Sequence, residues 1–273
     1  MSGLLFVHAE PGSAVPESEF NDWYNNEHVP DRIPLPCFHS WSRWTSADPA
    51  PPTHLALYDM DKPESLNDPA HVALMQNPSE REASIMSRVA LIDIRTYQLR
   101  EPVYPPRAGY DPTKPGPYIS VIEVDVPAEL EDEFNRWYDE EHIPMLAKVP
   151  QWVRSRRFVL QFTRAVGAEK ALVDKYGEGK VAKYLAIHEY ADAHAGDTDE
   201  FKAALNTPWA KAILGKVSRF EKRIWKLSKS WFAHLLIKSQ PDPGIYYIQS
   251  RTNGLQILKA FCTSRRFAPR TDK

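Results

Sequence analysis

Two histidines, each directly preceded by a glutamate, Glu27-His28 and Glu141-His142, are of a type and spacing that could do chemistry. Histidine titrates near neutrality and acts as general acid or base, and a carboxylate in reach would orient it and raise its pKa. The pattern suits proton transfer to or from an activated carbon or a departing hydroxyl. Each histidine is expected at the carboxyl end of a helix, where the dipole favours an imidazolium. Adjacent residues on a helix point about 100° apart, so Glu27 need not touch His28. A structural latch, with Glu and His tying the helix end to the next loop, accounts for the pairs equally well.

The two pairs sit inside one repeated string. FNDWYNNEHVP at 20–30 returns as FNRWYDEEHIP at 134–144, a shift of 114 residues. At that shift Pro36 meets Pro150, Arg43 meets Arg157, and the strand at 4–10 lies over 118–124. Further on, HLALYDM at 54–60 matches YLAIHEY at 184–190, and Asn77-Pro78 matches Thr207-Pro208, at a shift of 130. The change of shift places a 16-residue insertion within 160–183 of the second copy. Its Gly167, Gly177 and Gly179 would suit a mobile flap.

Each copy reads strand, helix, strand, strand, helix, strand. In the first copy 4–9 is a β-rich run, and 17–28 is helical with Phe20, Trp23, Tyr24 and Glu27 on one face. Pro30 is expected to close that helix. Strands follow at 38–44 and 55–60, then a helix over 69–88 and a strand at 91–99. This is the ferredoxin-like βαββαβ order, which leaves one sheet face bare. The expected fold is α+β: two tandem ferredoxin-like units packing sheet to sheet into an intramolecular pseudo-dimeric barrel with a central cavity. The units are 1–100 and 118–227, joined by a Pro/Gly-rich linker at 101–117. Residues 228–273 match nothing in the first copy, and 231–237 read as a further strand or helix.

Strand alternation assigns the cavity lining. Leu5 and Val7, taken to correspond to Ile119 and Val121, are expected to pack under the helices. The opposite set, Leu4, Phe6 and His8 with Tyr118, Ser120 and Ile122, is expected to face the cavity. On the third strands His54 and Tyr58, with Tyr184 and His188, are expected there too. A mixed aromatic, histidine and small-residue lining fits a ligand pocket with a few polar groups.

Bulk properties narrow the classes. The chain has 273 residues, enough for two domains, with 26% charged residues and a net charge of −2. That balance offers no basic footprint for nucleic acid or a membrane surface. No stretch approaches the roughly 20 apolar residues of a membrane helix, and the N-terminus lacks the regions of a signal peptide. Two cysteines in unrelated contexts argue against a disulfide framework, so a reducing, cytoplasmic setting is expected. The chain has no G-x-S-x-G, Walker A, G-x-G-x-x-G or H-E-x-x-H. His188 and His194 lack partner carboxylates in register, so no metal is expected, and no cofactor signature is present.

The motif W-Y-x-x-E-H-[IV]-P, at 23–30 and 137–144 on the first helix of a ferredoxin-like unit, resembles that of the dimeric α+β barrel superfamily, most closely its EthD-type branch. The resemblance covers 4–99 and 118–227. It implies small, usually cofactor-free enzymes of aromatic or polyketide metabolism, among them isomerases, cyclases, decarboxylases, dehydratases and monooxygenases, while other members bind haem. The expected function is acid/base chemistry without a cofactor on a hydrophobic small molecule: dehydration, decarboxylation, isomerisation or cyclisation. His8 and His188 are the preferred acid/base candidates, from the lining, with Tyr58 as an orienting donor; His28 and His142 are further candidates from the motif. A binding or assembly protein is the alternative. A haem- or oxygen-using member with one His as axial ligand is the second. Further homodimerisation is open.

Overall fold

The computed structural model describes residues 1–232, together with the backbone of two short paired strands, Ile245–Gln249 and Leu255–Lys259. Eight antiparallel strands close into one barrel: β1 (Gly3–Glu10), β2 (Phe38–Ser46), β3 (His54–Met60), β4 (Leu91–Leu99), β5 (Tyr118–Asp125), β6 (Trp152–Val166), β7 (Tyr184–Tyr190) and β8 (Arg219–Phe232). Around the barrel the order is β1-β3-β2-β8-β5-β7-β6-β4. The strands of the first half therefore lie in the order β4-β1-β3-β2, and those of the second in the order β8-β5-β7-β6. The halves do more than stack face to face. β2 pairs with β8, and β4 pairs with β6, so the edges that each half would otherwise leave open are closed by hydrogen bonds. Part of the expected extra element at 231–237 is the end of β8, and the rest lies outside the described residues.

The helices cover the outer face. In the first half they are α1 (Glu17–Trp23), α2 (Pro69–Gln76) and α3 (Glu80–Arg88). In the second they are α4 (Glu131–Trp137), α5 (Ile143–Leu146), α6 (Lys170–Lys175), α7 (Asp199–Leu205) and α8 (Pro208–Leu214). The expected single helix over 69–88 is two helices, because Asn77 and Pro78 interrupt it and Ser79 caps α3 with a bond from the Glu82 amide.

The motif helix also departs from expectation. After Trp23 the chain makes one π turn, Tyr24–His28, with the Val29 amide bonded to the Tyr24 carbonyl. A matching turn, Tyr138–His142, comes after α4. Pro30 and Pro144 do not close the helical path. Each stands in the first turn of the next segment, Pro30–Arg32 or α5, where a missing amide proton costs nothing. The extra residue in the turn rotates the next segment by about 100° relative to an uninterrupted helix, and π turns of this kind favour functional sites.

Three cores result. One lies between the sheet and α1–α3 and holds Leu5, Val7, Trp23 and Tyr58. A second lies under α4, α5, α7 and α8 and holds Ile122, Trp137, Tyr138 and Tyr184. The third fills the barrel with Leu4, Phe6, Leu57, Tyr97, Val121 and Trp225.

The barrel core corrects the lining assignment. Ile119 and Val121 face the interior, in company with Leu4 and Phe6, so β5 matches β1 at a shift one residue longer than the motif's. A slip of one residue exchanges the two faces of a strand. Ser120 therefore sits on the helix side, as does Tyr118 by alternation. On β3 and β7 the faces are likewise exchanged. Leu55, Leu57, Leu185 and Ile187 fill the barrel, while His54, Tyr58, Tyr184 and His188 point to the helices. Of the expected lining on these strands, only Leu4, Phe6 and His8 face inward.

The insertion is held against one barrel end. Amides of Ala168 and Glu169 bond to the carbonyls of Val89 and Ala90, and the Tyr176 ring is buried 5.9 Å from that of His8. Gly167 adopts φ +154° against the Ala90 carbonyl, so this end of the segment is packed and is not a free flap.

Candidate functional site

Two equivalent places lie between the helices and the sheet, one in each half, and they differ in volume and chemistry. The first is a cavity of about 260 Å³ bounded by Leu5, Val7, Tyr58, Ile92 and Ile94 of the sheet and by His28, Met75, Glu82 and Met86. The second, around Ser120, Tyr138, His142 and His188, encloses about 70 Å³.

In the first half the π turn aims His28 at the cavity, and its Nδ1 lies 3.2 Å from Glu82 Oε1 on α3. Arg32, one turn further along, reaches the same carboxylate oxygen at 3.2 Å and donates to the His28 carbonyl at 2.6 Å. Glu82 thus joins the end of the motif helix to α3 through two cations or donors at once. Burial pushes the His28 imidazole down to about 4, assisted by the Arg32 charge and opposed by Glu82. Burial would raise the Glu82 carboxyl, but its bonds to His28 and Arg32 bring it down to about 2. Near neutral pH the pair is a neutral imidazole beside a carboxylate. With Nδ1–H given to Glu82, the lone pair sits on Nε2.

Tyr58 on β3 donates a 2.9 Å hydrogen bond to the Tyr24 hydroxyl, across the same cavity. Burial raises both phenols, so both remain protonated. Arg43 stacks 4.4 Å above the Tyr24 ring and bonds to Asn21 and Asn25, fixing the ring's position. The second half repeats that support: Arg157 lies 4.1 Å over Tyr138 and bonds to Asn135 and Asp139.

The reactive groups are not repeated. Leu146 occupies the motif position of Arg32, and Ala210, third after the cap Thr207, occupies that of Glu82 after Ser79. His142 consequently has no carboxylate partner, its Nδ1 is unpaired among the described residues, and burial pushes it down to about 4. His188 Nδ1 meets the Ser155 hydroxyl at 2.8 Å, and its ring lies 6.0 Å from that of His142.

Glu27 and Glu141, the sequence neighbours of the two histidines, are latches. Glu27 accepts from the Ser79 hydroxyl, the cap of α3, and Glu141 accepts from the Thr207 hydroxyl, the cap of α8. Each ties the motif helix to the start of a later helix. His54 and Tyr184 are also tethers, bonded to Glu17 at the start of α1 and to Glu131 at the start of α4, each at 3.0 Å. Tyr118 lines neither cavity. His8 stands apart from both, inside the closed barrel end with Asp93 at 3.5 Å.

Sequence reasoning missed Arg32, Glu82 and His71, whose Nδ1 bonds to the Leu66 carbonyl at 2.9 Å beside the first cavity. Arg32 was visible as a difference between the copies, arginine against leucine at matching positions. Glu82 gave no such signal, because the helix carrying it aligns at a different shift. Among the described residues no group of three His, Cys, Asp or Glu could hold a metal ion, and no helix is long and apolar enough to cross a membrane.

An eight-stranded antiparallel barrel with helices on its outer face, and helix-covered pockets carrying the paired histidine motif, defines the dimeric α+β barrel class. Residues 126–220, in the second half of the chain, match the EthD domain. Solved structures with this fold include an anthrone oxidase-like protein, at 12% identity and a TM-score of 0.52 over 88% of this chain and 96% of that one. A monooxygenase-like protein from Lactobacillus acidophilus NCFM is 12% identical, with a TM-score of 0.50 over 84% and 96%. A chlorite dismutase variant from Candidatus Nitrospira defluvii is 13% identical, with a TM-score of 0.51 over 84% and 92%. No curated protein matches the chain.

Proposed function

We propose that this chain is an enzyme that needs no organic cofactor and uses His28 to move a proton on an aromatic or polyketide-like small molecule held in the first-half cavity. The observation that carries this reading is a neutral imidazole oriented by a buried carboxylate, 3.2 Å away, at the edge of a largely apolar chamber. Nε2 of His28 takes a proton from a carbon acid beside a carbonyl, or from a phenol. Glu82, still ionised, stabilises the imidazolium as it forms. The Tyr24 hydroxyl, which accepts from Tyr58, donates its own proton in a hydrogen bond to the oxyanion left on the substrate. Return of the proton to a departing hydroxyl gives dehydration, and its return to another carbon gives isomerisation. On this reading the second half-site, without an arginine or a carboxylate, supports the fold. We also read the two halves as fused ferredoxin-like units, which accounts for equivalent supports around unequal pockets.

A second reading has the deprotonated substrate pass an electron to dioxygen. The fold relatives described as an anthrone oxidase-like and a monooxygenase-like protein favour it.

The test is deuterium uptake from heavy water at the acidic carbon of anthrone, monitored by NMR under argon, with oxygen consumption recorded separately in air. His28→Ala should slow exchange by about 10²–10⁴-fold while His142→Ala leaves it within a few fold. Equal rates in wild type and His28→Ala would refute the assignment. Oxygen uptake that depends on His28 would select the second reading.

A further inference from the structure

The barrel holds a second chamber that the proton-transfer site does not use. Eight-stranded barrels have interiors just wide enough to be filled by side chains or to hold one small ligand. This one does both, at opposite ends. At the end closed by the insertion the interior is packed solid: Phe6, Tyr97 and Trp225 are fully buried, and Arg95 bridges Asp93 and Glu123 at 2.6 Å each. At the other end the described residues leave an opening of about 410 Å³. Its inner walls are the barrel-core side chains Trp44, Leu57, Ile119, Phe158 and Ile187. Protein cores pack with few voids larger than a water molecule, so an apolar chamber of this size is space for an occupant.

The mouth specifies the occupant's polarity. Its charged side chains are matched: Arg156 with Asp59, Arg154 with Glu189 at 2.6 Å, and His39 with Asp61 at 2.6 Å. Among the described residues an ionic ligand would therefore find no uncompensated side-chain charge to pair with. Hydrogen-bonding capacity remains. Only Nη1 of Arg156 and Nε of Arg154 are engaged by those carboxylates among the described residues, leaving guanidinium N–H groups at the rim. Deeper in, Ser42 Oγ accepts from Trp44 Nε1 at 2.9 Å, and its own proton meets only the Leu57 carbonyl at 3.4 Å.

We infer that the open end of the barrel is a binding site for a neutral, predominantly apolar small molecule that carries a carbonyl or hydroxyl at its outer end. The site is separated by the sheet itself from the cavity of His28, which lies on the opposite face of β1 and β3. It stands independently of the reaction proposed there.

The test uses the intact chain with Nile red as a neutral, carbonyl-bearing probe and anilinonaphthalene sulfonate as an anionic one. Nile red should bind saturably with one equivalent, accepting energy from Trp44, and at least tenfold more tightly than the anionic probe. Leu57→Trp, which fills the chamber from its wall, should weaken Nile red at least tenfold. Ala83→Trp, which fills the His28 cavity, should leave it unchanged. Circular dichroism checks each variant's fold, and Ile187→Phe gives the same reading if Leu57→Trp does not fold. No saturable binding, or loss of binding in Ala83→Trp and not in the barrel variants, would overturn the site. Equal affinity for the two probes would overturn the ligand class.

Discussion

His28 takes its carboxylate from Glu82, 54 residues away, at 3.2 Å, while Glu27 beside it in sequence turns to the Ser79 hydroxyl. The glutamate of the motif is thus a structural latch, and the glutamate that tunes the histidine comes from another helix. The consequence is asymmetric, because the latch occurs in both halves and the tuning pair in one.

Replacing Glu82 should be costly. Glu82→Gln leaves the Arg32 guanidinium, 2% exposed, without its anion, and should destabilise the chain by about 3 kcal/mol in urea unfolding. Arg32→Met combined with Glu82→Met should recover most of that loss, since an apolar pair of similar size replaces a buried ion pair at little cost. A double variant no more stable than Glu82→Gln alone would mean that the ion pair itself is not the source of the loss.

Acid should unfold the protein in two ranges. Burial lowers His142 to about 4 from an ordinary value near 6.5, so the unfolded chain takes up that proton first. Its contribution is fully present above pH 6.5 and is lost as the pH falls to about 4; His28, also lowered to about 4, adds to the same range. Glu82, lowered to about 2, contributes above its ordinary value of 4.5 and loses that contribution as the pH falls through about 2. In His142→Gln the slope of stability against pH between 6.5 and 4 should fall by up to about 1.4 kcal/mol per pH unit. Denaturant titrations at half-unit intervals measure it, and an unchanged slope would show that His142 does not titrate in this way.

The ionic cluster at the closed barrel end should behave as a unit. Arg95→Met strands Asp93 and Glu123 and should cost about 3–5 kcal/mol. Changing all three, Asp93→Leu, Arg95→Met and Glu123→Leu, should restore near wild-type stability. Thermal unfolding of the single and triple variants decides it, and a triple variant weaker than the single one would give the cluster a role beyond charge balance.

Gly167 should resist any side chain. At φ +154° a methyl group would collide with the Ala90 carbonyl, so Gly167→Ala should cost about 1–3 kcal/mol. Hydrogen exchange should quicken at the amides of Ala168 and Glu169, which bond to Val89 and Ala90. Unchanged protection there would mean that the insertion does not depend on this contact.

The sequence alone determined the motif and its class. The string at 134–144 lies within the span that matches the EthD domain, and the α+β element order with antiparallel strands could be read from periodicity and proline placement. Those are local properties, carried by spacing along the chain. The facing of side chains was not local. The side-chain period of a strand is two, so the single-residue difference in register between β1 and β5 reversed the predicted face of Ser120, Ile119 and Val121. On β3 and β7 nearly every residue is buried, so alternation carried no polarity to choose a face, and Tyr58 and His188 were assigned to the wrong side of the sheet. The partners of His28 come from a segment and a helix whose approach depends on packing across the sheet. Only the folded chain could bring Arg32 and Glu82 to one histidine and leave the other with leucine and alanine.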